Sequence, residues 1–187
     1  MKLKHLLKAI LLLAFLQAWC TRSMAQKLTD DQIRNQIVRE WERAKAYTIS
    51  YLNAMPSEKY GFKAVDSLRS FAQQMLHLAG ANVFLMSYAS TATPPAFSNE
   101  DIEHSPTAQN KDSVMYFVVN SYDYCISAIK SLPVDKWGEV IDLFGFKETR
   151  FVMLLKAFEH QSHHRGQTTI YIRLQNIIPP EERLFQK

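Results

Sequence analysis

The chain is poor in cysteine, with 2 among 187 residues, and it has only 5 glycines. Cys20 falls in the leader discussed below, which leaves Cys125 alone. A single thiol excludes an internal disulfide framework and any thiolate-rich metal site. Cys125 has apolar neighbours in a helical pattern and reads as a buried, inert thiol rather than a reactive one. No glycine-rich phosphate loop, internal repeat or low-complexity stretch is present. No segment carries a strong strand pattern. The one long apolar run, Ala9-Ile-Leu-Leu-Leu-Ala-Phe-Leu16, is too short to span a bilayer as a stable helix.

That run has the anatomy of an export signal. Lys2, Lys4 and Lys8 form a basic start, and Ser23-Met-Ala25 puts small residues where a signal peptidase reads. Residues 1–25 are read as a removable signal peptide and residues 26–187 as one domain, so the protein is expected to be exported, periplasmic or secreted. The competing reading is an uncleaved anchor. Lipoprotein processing at Cys20 is disfavoured by the bulky Trp19. The leader holds Lys2, Lys4, Lys8 and Arg22 and no acid; taking these four from the 22 basic residues leaves 18, against 18 acidic ones. A neutral mature chain gives no footprint for nucleic acid, and a membrane is implied only for export. About 160 residues suit one domain with one core.

Four segments carry helical period. The first starts near Thr29, where Thr29 and Gln32 have capping-box spacing, and Ile33, Ile37, Trp41, Ala44, Thr48 and Tyr51 make its stripe before Pro56. The second is expected over 67–90, with Leu68, Phe71, Met75, Leu78, Ala79 and Met86 apolar. The third runs over 111–132, striped by Val114, Val118, Tyr122, Cys125 and Ile129 and stopped by Pro133. The fourth is expected over 148–176. Residues 91–109, rich in proline and small polar residues, form a long connection that is either a functional cover or a mobile link. Residues 134–147 hold a short strand or a packed turn. The pattern predicts an all-α four-helix bundle with long crossover connections.

The chemistry concentrates in Phe158-Glu-His-Gln-Ser-His-His-Arg-Gly-Gln-Thr168. His160 and His164 are four apart and stack on one helix face, a spacing that lets two imidazoles reach one metal. His163 is three from His160, and its direction differs from that of His164 by about 100°; spacing alone leaves the choice between 163 and 164 nearly even. A third ligand must come from elsewhere, and His77 in the second helix is best placed, with Gly80 and Ala81 leaving room beside it. Taken alone, His77 reads more readily as a single core histidine with a satisfied hydrogen bond than as a ligand. His104 in the long connection reads as a solvated loop residue. Arg165 is expected to reach a carboxylate or a helix end. Gly166, costing about 1 kcal/mol of helix propensity, suggests a close helix crossing. Gln167 reads either as a hydrogen-bond partner of an imidazole or as a plain buried polar group.

Phe158-Glu-His-Gln-Ser-His-His-Arg-Gly-Gln167, with Tyr171-Ile-Arg-Leu174 and Ile178-Pro-Pro180, closely resembles the last helix of DinB-like (DinB/YfiT) proteins. Ser70-Phe71 with Met75-Leu-His-Leu-Ala-Gly-Ala-Asn82 resembles their second helix, and Leu143-Phe-Gly145 with Thr149-Arg150 resembles the lead-in to the last. The resemblance spans residues 29–180. It implies an antiparallel-helix bundle with long crossovers, and it implies His77, His160 and His164 as the ligands of one divalent transition metal (Zn, Ni or Fe), with His163 left out. Gln167 and Tyr171 become candidates for orienting a small-molecule substrate. The resemblance further implies a homodimer and either a metal-dependent hydrolase or a transferase using small thiols. Export favours the hydrolase, because small thiols are kept reduced in the cytosol. The alternatives are a non-catalytic exported bundle that binds a metal or small ligand, and a purely structural bundle. N-terminal sequencing of the protein recovered from outside the cytosol is expected to begin at Gln26; a chain beginning at Met1 would show that the leader is retained.

Overall fold

The computed structural model describes residue 5 and residues 27–185; the proposed signal peptide lies otherwise outside the described residues. Four long helices dominate: α1 (Asp30–Ala54), α2 (Phe71–Ala89), α3 (Lys111–Ser131) and α4 (Arg150–Arg173). Between α3 and α4 lies an antiparallel hairpin of β1 (Val140–Leu143) and β2 (Phe146–Thr149). Short 3-10 turns fill the other connections.

Caps set where the helices start. Thr29 accepts from the Gln32 backbone N–H while the Gln32 side chain accepts from the Thr29 N–H, the reciprocal capping box read from the sequence. Ser70 and Gln73 make a second box, and this one moves the start of α2 from the expected residue 67 to Phe71. Leu68 therefore sits in the preceding turn, 45% exposed, and does not join the apolar stripe. α4 is likewise shorter than expected. Thr149 caps it through the Val152 N–H, and the residues before it are drawn into β2. The two-residue hairpin turn has Phe144 at φ 55° and Gly145 at φ 85°, so both take the left-handed conformation that two-residue hairpins demand. Asp142 Oδ1 accepts from the Gly145 N–H at 2.8 Å and closes the turn.

Side-chain pairs give the helix directions. Lys111 reaches the Met55 carbonyl at 3.1 Å and Lys130 reaches Glu42, so α1 and α3 run antiparallel. Gln74 meets His164, and Arg150 reaches the Ala89 carbonyl, so α2 and α4 run antiparallel as well. α1 and α4 run parallel, matched by the ring pair Trp41–Phe158 and by the hydroxyls of Tyr51 and Thr169. The order is up-down-down-up. α2 and α3 are parallel neighbours, which is why the connection over 90–110 must travel the length of the bundle.

α2 packs chiefly on α3 and α4, and it is buried on most of its surface, including Phe71, Met75, Leu76, Leu78, Ala79, Val83 and Met86. Trp41, wholly buried, stands edge-on to Tyr122 and Phe158. Cys125 is fully buried, and burial pushes its thiol well above the ordinary range, as befits an inert cysteine. Ser70→Ala is expected to cost ~1 kcal/mol in urea unfolding, because it removes the oxygen that caps α2. An unchanged midpoint would show that the cap is dispensable.

Candidate metal centre

His77 projects from the second turn of α2, and His160 and His164 project from successive turns of α4. The antiparallel contact of these two helices brings the three rings together. Ring centroids are 4.3 Å apart for His160 and His164, 4.5 Å for His77 and His164, and 5.4 Å for His77 and His160. One ring nitrogen from each lies within 4.8 Å of the others, the single such cluster of possible ligands among the described residues. His163 is outside this group. It is exposed, stands at 89° to the His164 ring and meets the Gln167 amide at 2.8 Å. His104 is exposed too and pairs with Asp101 at 2.9 Å.

Each ring has a different setting. His77 Nδ1 lies 2.7 Å from Glu103 Oε2, and Glu103 Oε1 accepts from Arg69 Nε at 2.6 Å. His164 Nδ1 lies 2.8 Å from the Gln74 amide. The contacting atom is the amide nitrogen, which also donates to Gln167 Oε1, so Gln74 stands between His164 and Gln167. His160 Nδ1 is buried without a hydrogen-bond partner. A buried nitrogen with no partner, beside two other imidazoles, fits a cation; nitrogen donors of this kind suit zinc, nickel and iron.

Two of the rings, those of His160 and His164, are held neutral. Burial first, then the charge of His77 and His163 nearby, lowers His160 from 6.5 to about 4. Burial, then His160 and His77, lowers His164 from 6.5 to about 3. For Glu103 burial acts upward, but hydrogen bonds from Arg69 and His77 outweigh it and leave the carboxylate below its ordinary value.

Beside the histidines opens a cleft of about 870 Å³, lined by Lys63, Arg69, Gln74, Glu103, Gln167 and Tyr171 among others. The two substrate-orienting candidates both line it, but their polar atoms are engaged. Gln167 bridges Gln74 and His163, and the Tyr171 hydroxyl donates to the Arg69 carbonyl at 2.9 Å.

Two expectations for the HHRG stretch are corrected. Arg165 meets no carboxylate among the described ion pairs. Instead it enters the core, donating to Gln161 Oε1 at 2.7 Å and Thr48 Oγ1 at 3.3 Å, and lies 4.7 Å from the Tyr47 ring centre. Gly166 is exposed, and nothing stands within 4 Å of where a Cβ would be, so no helix crosses closely there. Sequence reasoning also missed Glu103. Its partner is 26 positions away, and a connection without helical period offers no spacing by which to find it.

Fold and site together define a four-helix bundle with an up-down-down-up order and a three-imidazole cluster between its second and fourth helices. The chain belongs to the DinB superfamily, whose family model matches residues 40–168. Solved structures agree on the fold. A DinB-like protein from Bacillus cereus has TM-score 0.69 at 16% identity, with 78% of this chain and 95% of that chain covered. The DinB-like protein YjoA from Bacillus subtilis has TM-score 0.60 at 18% identity, with 81% and 96% covered. No curated protein matches the sequence.

Because the folded-state values of His160 and His164 are depressed, their neutral state favours folding above the unfolded value of 6.5, and that contribution is lost as pH falls through about 4 for His160 and about 3 for His164. The melting temperature of metal-free protein is therefore expected to drop between these pH values. The drop should shrink in a His160→Asn, His164→Asn double variant; an equal drop in both proteins would remove the histidines as its cause.

Proposed function

We propose that the protein is a metal-dependent enzyme of the DinB type that acts outside the cytosol and hydrolyses a small molecule. One observation carries the reading: three imidazoles from two helices place a nitrogen each within 4.8 Å of one another. His77, His160 and His164 would hold one divalent ion, zinc, nickel or iron. When bound with an open coordination position, such an ion supplies Lewis acidity that brings the pKa of a water or thiol toward neutrality.

The chain's own residues supply the rest. Burial keeps His160 and His164 unprotonated at neutral pH, so these two need not lose protons to bind. The Gln74 amide holds His164, and Gln167 in turn holds Gln74. The cleft bounded by Arg69, Gln167 and Tyr171 gives a small substrate its approach. Water is favoured over thiol as nucleophile because the leader directs the chain to a compartment where small thiols are not kept reduced.

Metal analysis of protein purified without chelators is expected to find about one ion per chain. His164→Ala should abolish that content and His163→Ala should keep most of it; equal loss in both would overturn the ligand assignment. Ester and amide substrates should turn over without added thiol. Turnover only with a small thiol would replace hydrolysis by thiol transfer.

A further inference from the structure

The connection between α2 and α3 does not simply pass over the bundle. At Glu103 it turns a carboxylate inward, only 17% exposed, between two groups of α2's leading end. Oε2 lies 2.7 Å from His77 Nδ1, and Oε1 accepts from Arg69 Nε at 2.6 Å. The Glu103 carbonyl accepts from the Gln109 side chain at 2.6 Å, and Gln109 in turn accepts from the capping hydroxyl of Ser70 at 3.4 Å. Arg69 is held from the other side, where its carbonyl accepts from Tyr171 of α4. Glu103 is thus braced at its backbone and at both oxygens. With both oxygens bonded to side chains, it is placed to orient its neighbour His77.

A neutral imidazole carries one N–H, and a carboxylate can only accept. The proton of His77 must then sit on Nδ1, which leaves the lone pair on Nε2. Without such a partner the ring divides between tautomers, and the Nε2–H form cannot ligate through that nitrogen. His164 has an amide at Nδ1 and His160 has no partner there, so Glu103 is the one carboxylate bonded to this cluster among the described residues.

We infer that Glu103 is a positioning residue that fixes His77 as its Nδ1–H tautomer and so turns Nε2 into a metal-ligating nitrogen. The inference rests on the reading of the three histidines as ligands. It also makes the long connection a part of the site.

The test uses the purified protein stripped of metal, in wild-type, Glu103→Ala and Glu103→Gln forms. The tautomer of His77 is read by nitrogen-15 NMR, and zinc affinity is read by competition with a chelating dye. Wild type should show Nδ1–H at His77. Glu103→Ala should shift His77 toward Nε2–H and weaken zinc binding by about 10- to 100-fold. Glu103→Gln, whose amide oxygen can still accept Nδ1–H, should recover most of that loss. Melting of the three metal-free proteins separates this from unfolding; if the alanine variant does not fold, the glutamine variant must still show the wild-type tautomer. Zinc binding in wild type with equal affinity and unchanged tautomer in Glu103→Ala would overturn the inference and leave the ligand reading standing. No zinc binding in wild type would overturn the ligand reading and this inference with it.

Discussion

The antiparallel contact of α2 with α4 is the constraint on which the rest depends. It sets the face of α2 that carries His77 opposite the face of α4 that carries His160 and His164, with ring centres 4.3 to 5.4 Å apart. Burial there disfavours the protonation of His160 and His164, and the neighbouring imidazoles disfavour it further. The same packing that builds the core therefore keeps these two rings in the state that offers lone pairs. Stability and ligand chemistry are served by one interface, at some cost in acid tolerance.

The rotation of α4 about its own axis decides which residues face α2, and α1 sets that rotation. Arg165 lies next to His164 in sequence but points into a polar knot with Thr48, Gln161 and the Tyr47 ring. The Tyr122 hydroxyl joins the knot through Gln161 and Thr48. A buried guanidinium is costly unless its hydrogen bonds are made. Turning α4 by one residue would strip these partners from Arg165 and carry the histidines away from α2. The knot between α1 and α4 and the cluster between α2 and α4 are thus two readings of one helix orientation.

The connection of α2 to α3 is long because the two helices are parallel neighbours, and a chain that returns along the bundle must cross its surface. That path brings Asp101 to His104 over the leading end of α2. Here the exposed pair Asp101–His104 stays at the surface while Glu103 turns inward to His77 and Arg69. A segment required by topology supplies a group that no helix in the bundle provides.

Local rules in the sequence determined a good deal by themselves. Apolar period, capping residues and prolines set four helices, and the i, i+4 spacing put His160 and His164 on one face. Boundaries were less legible. Residues 67–69 read as helix until the Ser70–Gln73 box was seen to start it later, and Glu148 and Thr149 read as helix until the hairpin claimed them. What only the tertiary structure decided involves partners distant in the chain: His77 beside His160 and His164, Arg165 in the core rather than on a carboxylate, and Glu103 behind His77. Spacing within one helix follows from 3.6 residues per turn, so it can be read from a string of letters. Contacts between elements depend on helix direction and rotation, which arise only when the whole core is packed.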